Sequence, residues 1–156
     1  MPLHPNGENR IRRNLQAVKA GNRPQRARIG YLTDVQLNSI NAHRRANLLP
    51  EIAAEITFLG KHVYESRCVQ NGYSIEEVIL QITRALDETS IFRPVRSWTT
   101  LRNPEPRVEK GGNRVHDEVV LECTSQAPYP ELFSVVPRGD GREKLEKAPK
   151  GLFYKR

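Results

Sequence analysis

The clearest periodicity in the chain runs from Ser74 to Leu86. Ile75, Val78, Ile79, Ile82 and Leu86 repeat at three and four residues, which gives a helix one continuous apolar face. Ser74 and Glu77 form a capping box at its start, and Tyr73 is placed to staple onto Val78. A second capping box, Thr33 with Gln36, opens a helix over about 34–48 whose stripe is Val35, Leu37, Ile40 and Ala46, and Pro50 stops it. Strict alternation marks a strand over 114–123. Val115, Val119, Leu121 and Cys123 share one face, with Asp117 as a local conflict among them, and His116, Glu118, Val120 and Glu122 share the other. Shorter β-prone runs at 54–59, 95–101 and 132–136 complete the pattern. The order predicts an α+β domain, with N-terminal helices packed on one face of a small antiparallel sheet of about four strands.

Residues 1–30 show no sustained period beyond a possible short helix at 11–20, and Pro2, Pro5, Gly7, Gly21 and Pro24 interrupt them. They are expected to form a basic, flexible arm ahead of a folded unit at 31–140, with a basic C-terminal tail at 141–156. Charge sharpens this division. Seven Lys/Arg against Glu8 give residues 1–30 a charge of +6, and seven against three acids give 138–156 a charge of +4. The total is +7, so residues 31–137 carry −3. A mildly acidic body with two basic ends points toward a polyanionic partner, because basic segments concentrate nucleic acid through counterion release.

The 156 residues set one domain as the expectation, and 37% hydrophobic content allows one modest core. No window approaches the ~18 apolar residues of a membrane span, and the first 13 residues lack the apolar stretch of a secretory signal. Action in the cytoplasm follows as the expectation. Cys68 and Cys123 stand apart from each other and from any Cys/His cluster, so neither a zinc site nor a disulfide framework is expected. Glycine patterns for nucleotide phosphates, a Gly-x-Ser-x-Gly elbow and a His-Glu-x-x-His pair are all missing.

The chemistry that remains is polar groups for the fold to gather. His62 follows a strand and stands between Lys61 and Arg67, cations that favour a neutral imidazole and attract phosphate. A lone histidine is more often structural, but a connecting segment is where binding residues collect. His116 and Glu118 are two apart on one strand face; their bland reading is a wet strand edge. Trp98 and Thr100 fall on one face of their strand and Thr99 on the other, with Arg93, Arg96, Arg102 and Arg107 around them and Ser134 on the last strand. RNA cleavage suits this inventory. Attack of a 2′-hydroxyl on the adjacent phosphate needs a base, an acid and stabilisers of the phosphorane, with no metal and no cofactor. Trp98 is a candidate for stacking a base, and Lys61, Arg96, Arg102 and Arg107 for phosphate contacts.

The run Glu55-Ile-Thr-Phe-Leu-Gly-Lys-His-Val-Tyr-Glu-Ser-Arg67, then Asn71-Gly-Tyr-Ser74 and the helix 75–86, resembles the core of the barnase, EndoU, colicin and RelE-like ribonuclease superfamily. Asn113–Cys123 and Pro130–Pro137 are similar to its paired C-terminal strands, so the likeness covers about residues 31–140. It implies a toxin of bacterial-competition or phage-encoded type that cleaves RNA, tRNA included, without metal and is neutralised by a cognate immunity or antitoxin protein. Carried over by position, His62 is the principal catalytic group and Arg67 binds phosphate. Thr99 or Thr100, with Glu118 or His116, completes the site. The rival reading is a non-catalytic nucleic-acid-binding or phage accessory protein acting through its basic ends. An immunity protein is disfavoured, since such proteins are typically acidic.

Overall fold

Both capping boxes form. Thr33 accepts from the Gln36 amide while the Gln36 side chain accepts from the Thr33 amide, and Ser74 and Glu77 do the same. The computed structural model describes residues 2–95, 98–109, 111–122 and 128–139, with Val95 described by its backbone alone. In chain order the elements are α1 (Gly7–Lys19), β1 (Ala27–Tyr31), α2 (Asp34–Ala46), β2 (Glu55–Phe58), α3 (Lys61–Val63), α4 (Ile75–Ala85), β3 (Ile91–Val95), β4 (Trp98–Arg102), β5 (Arg107–Val108), β6 (Arg114–Glu122) and β7 (Glu131–Gly139). A π-helix, Tyr64–Gln70, continues α3.

The expected small antiparallel sheet is corrected. Among the described residues, seven strands form one mixed sheet in the order β1-β2-β7-β6-β4-β3, with β5 paired to β6. The sheet is mixed because β2 and β7 run parallel, Thr57 opposite Glu131 and Phe58 opposite Leu132. It curls into a half-barrel. Accordingly α2, which follows β1 at one end of the strand order, packs against β3 at the other. There Gln36 Nε2 donates to the carbonyls of Asp87 and Ser90, both at 3.0 Å. The helices therefore do not form one layer on one face. α1 packs on β1 and α4, and α4 packs on β6 and β7.

The main core fills the curl. It joins Ile11 and Leu15 of α1, Ile29, Ile40 and Ile56, the α4 stripe Val78, Ile79 and Ile82, and Leu101, Val119, Leu121, Leu132 and Val135 from the sheet. The predicted flexible arm belongs to this core, since Ile11 and Leu15 are fully buried. Hence the segment expected to be an arm ahead of residue 31 is part of the folded unit. The predicted tail, 141–156, lies outside the described residues, as do Arg96 and Cys123.

Asp117, the conflict in the β6 pattern, is 2% exposed and held by Arg107, whose Nε and Nη2 donate to its two oxygens at 2.8 and 2.9 Å. A carboxylate among apolar neighbours is tolerated when a bidentate guanidinium satisfies it.

Candidate functional site

The second face of the sheet carries most of the predicted polar residues. Register sets Thr100 opposite Val120 and Val120 opposite Ser134, while Arg102 faces Glu118 and Glu118 faces Val136. Arg93 pairs with Thr100 from β3, and His116 with Arg138 from β7. Opposed residues point to the same side, so Trp98, Thr100, Arg102, His116, Glu118, Ser134 and Arg138 share this face. Thr99 pairs with Leu121 on the core face, which removes it from the predicted site.

Between Val120 and Leu121 the register shifts. Ser134 and Leu132 oppose them, and Phe133 is the extra residue of a β-bulge. Bulges re-aim side chains, and this one turns Phe133 out of the core alternation to pack with Trp98, Val120 and Val136. His62 lies flat on it. The rings are 4.4 Å apart between centroids and 11° from parallel, and Phe133 in turn stacks on Trp98 at 5.6 Å. Trp98 itself is 6% exposed and closes the buried end of this ladder, so it does not stack an incoming base. The exposed end is His62, with Lys61 exposed beside it.

The other predicted residues separate. Phe133 adjoins Ser134, whereas His116 is level with Arg138, four residues or ~13 Å farther along β7 at ~3.3 Å per residue. His116 is therefore not the acid complement of His62; its Nδ1 lies 2.9 Å from the Asn103 carbonyl. Glu118 is fully buried, 2.9 Å from Arg138 Nε and 3.7 Å from Arg93 Nη1. It is a charge-pairing residue and does not orient an imidazole. Thr100 is also fully buried and donates to the Arg93 carbonyl across the β3–β4 pair. Arg102 donates to the Gly139 carbonyl at 2.8 Å, and Arg107 is engaged by Asp117, which takes Arg107 out of the RNA-contact set.

Arg67 projects from the π-helix into the interior. It is 8% exposed, its Nη2 donates to Ser66 Oγ, and its Nε has no hydrogen-bond partner. Burial lowers its affinity for its proton, against the pull of Tyr73 and Glu109. Burial against the sheet likewise lowers the His62 pKa; Glu65 and Glu122 oppose that shift and Arg67 reinforces it. The imidazole thus stays neutral to lower pH than a free histidine.

Ser134 is the group that the strand pattern alone presents as ordinary. It is fully buried, its Oγ has no hydrogen-bond partner, and it follows the bulged Phe133 directly. No signal in the sequence singles it out, because the bulge beside it arises only when β6 and β7 pair.

Comparison with protein-family profiles, curated proteins and solved structures finds no match to this chain. The functional reading therefore rests on the site itself. Among the described residues no helix is long and apolar enough to cross a membrane, and no group of three His, Cys, Asp or Glu is placed to hold a metal ion.

Proposed function

We propose that the protein is an endoribonuclease that works without a metal, with His62 as its proton-transfer group. One observation carries this reading: an exposed imidazole, kept neutral by its environment, is fixed face-on to Phe133 at the open end of an aromatic ladder. A ring held in one orientation is what general-base chemistry requires of histidine. His62 takes the proton of a 2′-hydroxyl, the 2′-oxygen bonds to the adjacent phosphorus, and the P–O5′ bond breaks. The 5′-oxygen leaves with a proton from the imidazolium or water, and the other product ends in a 2′,3′-cyclic phosphate. Lys61 is the exposed cation next to the reacting phosphate, and Arg67 adds positive potential from beneath. A cell making such an enzyme needs an inhibitor, the immunity or antitoxin partner that the resemblance implies.

A second reading, binding of single-stranded RNA without cleavage, is favoured by the same ladder, because stacked aromatic side chains with nearby cations hold unpaired bases. Total RNA incubated with the protein in EDTA separates the two. The nuclease yields discrete fragments with cyclic phosphate ends, and His62→Ala lowers the rate by ~10²–10⁴-fold, the usual contribution of a general base. The binder leaves RNA intact while retarding it on a gel. Undiminished cleavage by His62→Ala removes His62 from the mechanism.

A further inference from the structure

The second face of the sheet does not end at Phe133. Ile56 and Phe58 of β2 belong to the main core, so Glu55 and Thr57 point to the face that carries His62. Register extends that face to β1, where Arg28 pairs with Thr57 and Tyr31 with Glu55, and a register shift between Arg28 and Gly30 lets both share one side. In the other direction Thr57 pairs with Glu131 of β7, two residues before Phe133. We propose that a single strand of RNA engaged at His62 runs over β7, β2 and β1 on this face, with its bases stacked on Tyr129 and Tyr31. The position of the scissile phosphate rests on the ribonuclease reading; what is added is the form of the substrate, RNA unpaired over several nucleotides.

The rings supply the first argument. Tyr31 and Tyr129 are 48% and 40% exposed, and both are held by neighbours. His4 meets Tyr31 almost at right angles, with centroids 4.7 Å apart and planes at 83°, and Arg28 Cζ lies over the Tyr129 ring, 5.9 Å from its centroid. Glu55 joins the two halves of the cluster, with His4 Nε2 at 3.4 Å and Arg28 Nε at 3.5 Å from its oxygens. Exposed aromatic rings already fixed in place are stacking platforms that lose little freedom when a base arrives. Tyr129 precedes Phe133 by four residues, at most ~14 Å of chain. β1 is two strands from β7, or ~10 Å. A short single strand covers both distances.

Charge supplies the second. The acids of this strip are matched by arginines, Glu55 by Arg28 and Glu131 by Arg26. The Arg26 and Arg28 side chains remain 57% and 66% exposed, and a guanidinium has five N–H donors, so each can take a phosphate oxygen besides its carboxylate. Glu122, exposed on β6, lies across β7 from this cluster.

The distribution of apolar exposure favours RNA over a protein partner. Among the described residues the large exposed aliphatic side chains all lie on other elements, and the large apolar groups open on this strip are the two rings. Separate flat rings set among charges suit splayed bases. A protein interface centres on a contiguous apolar patch.

Fluorescence anisotropy with the full chain tests the proposal. The probe is an RNA of about eight nucleotides with 2′-O-methyl ribose, which lacks the attacking hydroxyl and so reports binding apart from cleavage. Tyr31→Ala and Tyr129→Ala are each expected to raise its Kd about tenfold, the effect of losing one stacked base, at an unchanged thermal midpoint. Tyr31→Phe and Tyr129→Phe are expected to bind as the wild type does, because the ring is kept. The same sequence annealed to its complement is expected to bind more weakly, with no dependence on either ring. Unchanged affinity in both alanine variants overturns the proposal, assigns the rings to a protein contact and leaves the ribonuclease reading standing. Duplex bound as tightly as single strand also overturns it. A wild type that cleaves no RNA sinks the ribonuclease reading alone, since the tyrosine dependence of the uncleavable probe still decides the path of the strand.

Discussion

His62 shows how one contact sets a chemical property. Stacked on Phe133 and partly desolvated, its ring gives up its proton below the ordinary histidine pKa of 6.5. A general base works in its neutral form, so kcat/KM for RNA cleavage is expected to rise with pH and reach its half-point below 6.5. Phe133→Ala returns water to that ring face, and the half-point is expected to move upward toward 6.5 whatever happens to the maximum rate. A pH–rate profile of both proteins checks this; a half-point unmoved by Phe133→Ala separates the shift from the stack. The same shift affects folding. Between the two pKa values the unfolded chain binds the proton and the folded chain does not, so stability falls slightly as pH drops below about 6.5. Asp117 makes the opposite kind of demand on its neighbour. Arg107→Ala leaves a carboxylate 2% exposed without its bidentate donor, and a loss of ~3–5 kcal/mol is expected in urea unfolding. Replacing both residues by leucine should recover most of that loss, because an apolar pair needs no donor.

At the scale of elements, α4 illustrates what local pattern can specify. Its cap, staple and stripe are all local, and Ser74→Ala is expected to cost ~1 kcal/mol by removing the acceptor for the Glu77 amide. Chemical denaturation with unchanged m-value checks it. The same locality makes α2 and β6 legible in the amino-acid pattern. The elements that the pattern does not reveal have specific causes. β3 contains Pro94, which disqualifies a central strand but suits the end of the strand order, where β3 pairs only with β4 among the described strands. Pro137 marks an expected end for β7, yet the strand continues to Gly139, because β2 pairs only with its first two residues and Pro137 owes no ladder hydrogen bond on that side. The parallel β2–β7 contact joins residues more than 70 positions apart, and no local periodicity encodes such a pairing. The site divides in the same way. The shared face of Trp98 and Thr100 with the β6 residues follows from alternation and register. The bulge that brings Phe133 under His62, and the register that sets His116 level with Arg138, ~13 Å along β7 from Ser134, are properties of the assembled sheet.

For the whole molecule the decisive segment is the N-terminus, whose composition suggests an arm. Composition misleads here because four of the seven cations in residues 1–30 are engaged by the rest of the fold. Arg10 donates to the Arg28 carbonyl, Arg12 makes two hydrogen bonds to Glu76, Arg26 pairs with Glu131, and Arg28 lies 3.5 Å from Glu55. The backbone is tied down as well. Tyr31 N donates to Pro2 O and His4 N to Ile29 O, so residues 2–4 run along β1, and a Cβ on Gly30 would meet Pro2 O at 2.1 Å. Asn14 spans two elements, accepting from the Gly60 amide at 2.7 Å and donating to the Gln25 carbonyl at 2.7 Å. Gly60 immediately precedes Lys61 and His62, so α1 helps hold the candidate site in place. Deleting residues 1–26 therefore strips fully buried Ile11 and Leu15 from the core and uncovers apolar surface on β1 and α4. The truncated chain is expected to show no cooperative thermal transition by circular dichroism and no RNA cleavage. A detachable basic arm predicts the opposite: a truncated protein that melts at the same temperature and cleaves RNA, with only the salt dependence of binding reduced. A cooperative melt of the truncated chain at the same temperature would return residues 1–26 to the role of an appendage outside the core.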